Sequence, residues 1–163
     1  MIKKHSFQWE GLEAILAEPN VRELLIDYWN ELSPLKHIPL DVDWPRLLEW
    51  ERRFLFRVWT ARVDGTLAGF ITWLIQPHHL HRNTLMAMDH GHYVAPAFRD
   101  IAGSMTGLRM WRSCERALKE LGVEVAFCHD NALRPLSPFL LAIGARPFSS
   151  MWLIDLRSEE ASP

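Results

Sequence analysis

Two kinds of hydrophobic pattern divide the chain, a helical one near the amino terminus and a strand-like one after it. Between residues 19 and 33 apolar side chains recur every three or four positions, which predicts an amphipathic helix after Pro19 and Asn20. Asp43 and Pro45 are typical of an N-cap and a first helical turn, so a shorter helix is expected over 44–54. Two helices are therefore predicted before the first predicted strand.

From residue 56 the apolar residues follow a strand pattern. The runs 56–63 and 66–75 flank Asp64 and Gly65, a dipeptide typical of a tight hairpin, and a third strand is expected over 84–94. A helix over 103–121 ends at Gly122 and is followed by a strand, a short helix and a last strand, over 123–129, 135–144 and 148–156. The order α-α-β-β-β-α-β-α-β predicts one mixed α/β domain.

Composition narrows the class of protein. The chain has 163 residues, 48% of them apolar, which is enough for one domain with a buried core. The net charge of −2 gives no general attraction to nucleic acid, and Arg109, Arg112 and Arg116 are interpreted as a solvated helix face. Cys114 and Cys128 lack the spacing of a metal site. Without a leader-like start or a membrane-length apolar run, we expect a cytoplasmic protein in a reducing setting.

The segment 89–111 carries the most specific candidate chemistry. Its predicted strand ends near Pro96, and Arg99 and the small residues Ala102, Gly103 and Ser104 then lead into the long helix. Unpaired amides at a helix N-terminus bind phosphate groups, and small side chains let a phosphate approach those amides. An arginine nearby adds a charge-assisted contact. This arrangement predicts an anion site over 99–104.

The same segment resembles motif A of the Gcn5-related N-acetyltransferases, which reads V-x-P-x-[YF]-R-x-x-G-x-[GA]-x-x-L. Val94, Pro96, Phe98 and Arg99 match its first half, and Leu108 follows in the helix. The downstream order of strand, short helix and final strand is also similar, so the resemblance covers about residues 55 to 156. It is closest to members encoded by phages and prophages.

The resemblance implies a single-domain acetyltransferase fold over 1–163, with a mixed, mainly antiparallel sheet flanked by helices. Residues 55–156 would form the acyl-coenzyme A core, and residues 1–54 the acceptor side. The implied reaction moves an acetyl or other acyl group from acyl-coenzyme A to an amine, by direct attack on the thioester. A backbone N–H within 93–95 would point at the thioester carbonyl. The implied coenzyme contacts are Tyr93, Val94, Ala95, Arg99, Ala102, Gly103, Ser104, Met105 and Asn131.

Departures from the family pattern bear on activity. The family's two turn glycines fall on Ala102 and Ser104, and the tyrosine that often protonates the departing thiolate falls on Leu140. That proton donor is therefore missing or comes from elsewhere. The proton of the attacking amine also needs an acceptor, and imidazole suits this role near neutral pH. We expect His90 or His92 to be this base, with His90 narrowly favoured, since alternation places both on one strand face and Asp89 on the other.

Other functions fit parts of the sequence. Histidines at 78–81 and 89–92 on neighbouring strands could bind a metal ion in a β-rich protein, but the terminal helices suit that class poorly, and no metal ligand is assigned. A degenerate acetyltransferase fold could instead serve as an interaction protein. The acceptor stays open among a small amine, an amino acid, a protein amino terminus, a lysine and a modified base. A homodimer is equally open, and no membrane partner is expected.

Overall fold

In the part of the chain that the structure describes, five strands form one sheet, and their order across the sheet is their order along the chain. The structure is a computed structural model that describes residues 4–99, 105–131, 133, 135 and 137–149. Strands β1 to β4 pair antiparallel, and β5 joins β4 in parallel. The predicted α/β fold with a mixed, mainly antiparallel sheet is confirmed. The strands are β1 (His5–Glu10), β2 (Phe56–Val63), β3 (Thr66–His78), β4 (His81–Val94) and β5 (Val123–Phe127).

Helices cover both faces of this sheet. Both predicted amino-terminal helices are present, and the second begins as expected, because the Asp43 carboxylate accepts the backbone N–H of Arg46 at 3.1 Å. The prediction missed β1 and α1, which have six and five residues and are too short to show a clear period. The helices are α1 (Leu12–Leu16), α2 (Val21–Leu32), α3 (Trp44–Arg52), α4 (Met105–Glu120) and α5 (Ser137–Ala142), with a 3₁₀ turn at Pro96–Phe98.

The structure confirms two local features that the sequence predicts, the hairpin turn at Asp64 and Gly65 and the helix end at Gly122. Asp64 and Gly65 have φ of 51° and 85°, the left-handed pair that a type I′ hairpin turn requires between β2 and β3. Gly122 ends α4 with φ of 81°. Helix α4 buries Met110, Trp111, Cys114, Ala117 and Leu118 against the sheet, whereas Leu121, just after the helix, is exposed.

Two apolar clusters pack against the sheet, one on each face. On one face the buried side of α4 contacts Trp59, Ile71 and Trp73 of the central strands. On the other face α1 and α2 cover Phe70 and Tyr93. The sheet is thus the middle of three layers, which places the end of β4 between two packed faces.

Part of the predicted architecture lies outside the described residues. The last predicted strand, 148–156, is described only at Phe148 and Ser149, which are not in a strand. The turn 100–104 is likewise outside. Within the part of the chain that the structure describes, no helix is both long and apolar enough to span a membrane.

Candidate active site where strands β4 and β5 part

Strand β4 extends beyond the end of its parallel neighbour, β5. Pairing between them extends from Leu85 with Val123 to Met88 with Phe127, where β5 ends, whereas β4 continues to Val94. The carboxyl ends of adjacent parallel strands are common places for ligand sites, because the loops that follow the strands diverge and leave a crevice. Segment 89–94 therefore continues beyond the last β4–β5 pair, and the gap between the parting strands is called the opening below.

Backbone direction along this segment follows from its pairing with β3. The Ala95 N–H donates to the carbonyl oxygen of Ala68 at 2.9 Å, so this amide belongs to the sheet. Because N–H groups alternate in direction along an antiparallel strand, the Val94 N–H points away from β3, toward the side where β5 has ended. Of the segment 93–95 predicted to meet a thioester carbonyl, Val94 is the residue whose amide faces the opening.

A β-bulge in β4 changes which side chains share a face. Trp73 of β3 pairs with Asp89, whereas Thr72, one residue earlier in β3, pairs with Gly91. His90 is therefore the extra residue in β4. Beyond it the alternation is shifted by one position. Asp89 and His92 consequently lie on the α4 face, with the His92 Nδ1 3.9 Å from the Asp89 Oδ2. The expectation that His90 and His92 share a face opposite Asp89 is therefore wrong.

The most tightly held polar pair in the opening joins Asp89 to His129, the second residue after β5. Asp89 is buried, with 3% of its side chain exposed. Its Oδ1 accepts the backbone N–H of His129 at 2.8 Å and also contacts the ring Nδ1 at hydrogen-bond range. The carboxylate raises the pKa of His129 by this hydrogen bond, against the opposing effect of burial. A buried carboxylate thus orients a partly exposed imidazole.

The two predicted histidines have different surroundings. His92 stands edge-on to Trp111 of α4, with 5.6 Å between ring centroids, and is 16% exposed. His90 reaches the surface, but its ring is partly desolvated by neighbouring protein atoms, which lowers its pKa. Positive charge on His129 lowers the pKa of His90 further. His90, His92 and His129 therefore form one electrostatically coupled group around Asp89.

Cys128 stands beside this group and is a poor candidate for covalent catalysis. Burial raises the pKa of its thiol to about 12, with a smaller contribution from the charge of Asp89. The reactive form of a cysteine is the thiolate, which is scarce at neutral pH when the pKa is so high. The site favours direct attack on a bound substrate over an acyl-cysteine intermediate.

Arg99 fastens the end of β4. Its Nε donates to the Val94 carbonyl at 2.6 Å, and its Nη2 donates to Glu31 of α2 at 2.8 Å. Tyr93 donates its hydroxyl to the same Glu31 oxygen at 3.1 Å, and burial raises the pKa of Tyr93 to about 12. Two predicted coenzyme residues, Arg99 and Tyr93, are therefore tied to α2 through one carboxylate.

The remaining predicted residues fall in several places. Asn131 donates its side-chain amide to the Leu32 carbonyl at 3.0 Å, which ties the loop after β5 to the end of α2. Met105 is the first residue of α4. Ala102, Gly103 and Ser104, together with the predicted phosphate turn, lie outside the described residues.

Sequence reasoning missed His129. It stands at the predicted end of a strand, and polar residues there are a usable signal once that strand is known to be parallel to its neighbour. The signal was weak because Asp89 is 40 residues away along the chain. The alternative metal site gains no support, because within the described ranges no three His, Cys, Asp or Glu side chains gather as a metal would require.

Comparison with known proteins bears on the fold. No protein-family model matches, and no curated protein matches. Solved structures do match, and a ribosomal-protein-alanine N-acetyltransferase from Brucella melitensis biovar Abortus is 16% identical, with 93% of this chain and 99% of that chain covered and a TM-score of 0.69. The chain has the N-acetyltransferase fold.

Two further structures with this fold differ in what they bind. An aminoglycoside acetyltransferase from an uncultured soil metagenomic sample, in complex with sisomicin, is 12% identical, covers 96% of each chain and has a TM-score of 0.65. A predicted acetyltransferase from Clostridium acetobutylicum, with acetyl-CoA, is 14% identical, covers 94% of this chain and 97% of that chain, and has a TM-score of 0.62. At these identities the likeness establishes the fold alone.

Proposed function

We propose that this protein transfers an acyl group from an acyl-coenzyme A to an amine. The observation that carries the proposal is the parting of β4 and β5 beyond Met88 and Phe127, where the Val94 amide points away from β3 and three histidines lie around Asp89. The acetyltransferase fold supports it, since structures with that fold include one with acetyl-CoA and others named for amine acceptors.

The proposed mechanism uses the Val94 amide and the histidines around Asp89. An amine nitrogen attacks the thioester carbonyl carbon, and negative charge develops on the carbonyl oxygen. The Val94 N–H is placed to donate to that oxygen, a contact worth roughly 2.7–4 kcal/mol in the transition state. The amine loses its proton to one of the histidines around Asp89, and collapse of the intermediate breaks the carbon–sulfur bond and releases the thiolate.

Coenzyme binding is assigned to the start of α4 and the end of β4. The unpaired amides of a sixteen-residue helix suit a pyrophosphate, and Ala102, Gly103 and Ser104 precede it directly. Tyr93, Val94 and Ala95 would line the pantetheine arm along the strand edge. Arg99 already donates to Val94 and Glu31, so we expect it to act by holding the strand end as well as by its charge.

The acceptor is proposed only as an amine that enters from the side of residues 1–54. Helix α2 reaches the site there, because a Cβ on Gly91 would lie 2.5 Å from the Tyr28 hydroxyl. The chain length of the acyl group, the proton donor to the thiolate and the likeness to phage-encoded members stay predictions. So does the cytoplasmic setting.

Calorimetry with acetyl-coenzyme A tests the cofactor. We expect binding by the wild-type chain and binding roughly 10- to 150-fold weaker for Arg99→Ala, since a charge-assisted contact is worth roughly 1.5–3 kcal/mol. We expect no binding for Ser104→Trp, whose indole would block the phosphate site. Lys119→Ala is the control, because Lys119 pairs with Glu115 near the far end of α4. Thiol release with a panel of amines then tests turnover.

Two outcomes would contradict the proposal. If the wild-type chain does not bind acetyl-coenzyme A at millimolar concentration, acyl transfer from it is excluded. If the chain binds but releases no thiol with an alanine-terminated peptide, a lysine peptide, an aminoglycoside or hydroxylamine, the fold serves binding alone. In both cases the interaction-protein hypothesis takes its place.

A further inference from the structure

We infer that His129 is the general base of the proposed transfer, and that Asp89 is the positioning residue that aims its ring. This inference rests on the proposed function and names the group that accepts the amine proton. It replaces the expectation from the sequence, which assigned that role to His90 or His92. It is carried by the hydrogen bonds between His129 and Asp89, their burial and their place in the opening.

The position of His129 is fixed at two points by one carboxylate. Asp89 accepts both the backbone N–H and the ring Nδ1 of His129, so the main chain and the side chain are held together. Asp89 itself cannot serve as an exposed base, since 3% of its side chain is accessible. The ring of His129 is 36% exposed, so an entering amine can reach it.

The same contact sets the tautomer. When the Nδ1–H donates to a carboxylate, the neutral imidazole carries its remaining lone pair on Nε2. The Nε2 is then the proton acceptor, and the imidazolium that forms is stabilised by the negative charge of Asp89. This is the orientation that a general base needs, because the hydrogen bond to Asp89 holds the ring in one position.

The other two histidines lack this combination. The His92 Nδ1 is 3.9 Å from the Asp89 Oδ2, which is beyond hydrogen-bond distance, and its ring packs edge-on against Trp111. The pKa of His90 is lowered by loss of hydration and by charge on His129, so it is a weaker proton acceptor. His129 combines a hydrogen bond to the Asp89 carboxylate with a ring that is 36% exposed.

The proton and electron count of the step is simple. An alkyl ammonium acceptor first gives one proton to the His129 Nε2, and the freed lone pair forms the carbon–nitrogen bond while the carbonyl π pair moves to oxygen. The carbonyl then re-forms as the carbon–sulfur pair leaves on the thiolate, which takes the second nitrogen proton. The imidazolium gives its proton to solvent, which restores the base.

Among the described residues, the titratable groups around Asp89 and His129 are Tyr28 from α2, His90 and His92 from β4, and Cys128 and Asp130 from the segment after β5.

The key variant is His129→Asn. The asparagine amide can keep the donor to Asp89, whereas the Nε2 acceptor is removed. We expect kcat/KM to fall at least ~10²-fold with an alkyl amine acceptor that is protonated at neutral pH. With hydroxylamine, which is already unprotonated there, the loss should be under tenfold. Acetyl-coenzyme A affinity by calorimetry should stay within about threefold of wild type.

Asp89→Asn tests the positioning role. It keeps an oxygen that can accept from His129 but removes the negative charge, so the charge-assisted hydrogen bond that raises the pKa of His129 becomes a weaker, neutral one. The limb of the pH–kcat/KM profile on which activity rises with pH should therefore move to lower pH, which a merely structural role would not cause. His79→Ala is the histidine control, since it lies at the β3–β4 hairpin, roughly 30 Å along β4 from the site.

Each result has one meaning. Wild-type turnover with an unchanged rate and pH profile in His129→Asn overturns the inference and leaves the proposed function intact. Equal loss on both acceptors also overturns it, because the alkyl amine must give up a proton before it can attack, whereas hydroxylamine attacks in its neutral form. A wild-type chain that binds acetyl-coenzyme A without turnover, or does not bind it, overturns the inference together with the proposed function, and the calorimetry shows which of the two occurred.

Discussion

Gly69 has no room for a side chain, and adding one tests how closely β3 and β4 pack at the site. Gly69 pairs with Val94, where β4 ends. A Cβ at this position would overlap the carbonyl oxygen of Tyr93 and lie 3.0 Å from the Cα of Val94. Both are backbone atoms that cannot rotate away, so Gly69→Ala must push the two strands apart. The adjacent hydrogen bond from Ala95 to Ala68 lies in the path of that movement.

The cost can be worked from these contacts. Overpacking a dense core costs about 1–3 kcal/mol, and a backbone obstacle puts this substitution near the upper end. Weakening one sheet hydrogen bond adds up to about 1 kcal/mol. A loss of roughly 3 kcal/mol in a chain of this length lowers the melting temperature by about 6–12 °C.

Thermal and urea unfolding of the purified variants measure this loss. Gly107→Ala in α4 is the matched control, because a Cβ there meets nothing within 4 Å, and we expect it to gain up to about 1 kcal/mol from reduced backbone entropy. If Gly69→Ala melts within about 2 °C of the wild type, the close approach of the two strands at Val94 is refuted.

Two further predictions concern one charged cluster, in which Arg62 of β2 pairs with Glu10 of β1 and with Glu18. Arg62 is 16% exposed and donates to Glu10 and Glu18 at 2.7 and 2.6 Å, so Arg62→Leu leaves two carboxylates without their partner and should cost about 3 kcal/mol by urea unfolding. A loss below about 1 kcal/mol would mean that solvent already screens the cluster. The hydrogen bond from Arg62 is the main cause that lowers the pKa of Glu10 from 4.5, so this stability is complete above that value and is lost as the pH falls through the lower, folded pKa. Unfolding measured from pH 7 to pH 2 should therefore show the wild type and Arg62→Leu converging in acid, and a constant gap would contradict this linkage.

Local features of the sequence were sufficient for most elements. The helix of α2, the cap at Asp43, the hairpin turn at Asp64 and the stop at Gly122 each depend on a few neighbouring residues. Interactions of this range can be seen in a linear pattern, because the same residues carry the signal and adopt the conformation. The order of elements around Val94 and Arg99 was enough to predict the acetyltransferase fold.

The arrangement of the site was decided by the tertiary structure. One bulge at His90 moves Asp89 and His92 onto the same face, and a strict alternation rule gives the opposite result. Bulges depend on pairing with β3, which the sequence of β4 alone does not encode. The expectation for the histidines failed for this reason.

The partnership of Asp89 with His129 has the same origin. The two residues are 40 positions apart, and they meet because β5 pairs in parallel with β4 and ends beside it. Parallel pairing requires a long crossover, which contains α4, so the contact depends on the tertiary arrangement. The sequence by itself determined most of the elements, and it led to the expectation of an acyl-coenzyme A site at 93–104. The choice of histidine depended on long-range pairing, because hydrogen bonds between distant strands leave no periodic pattern in the sequence.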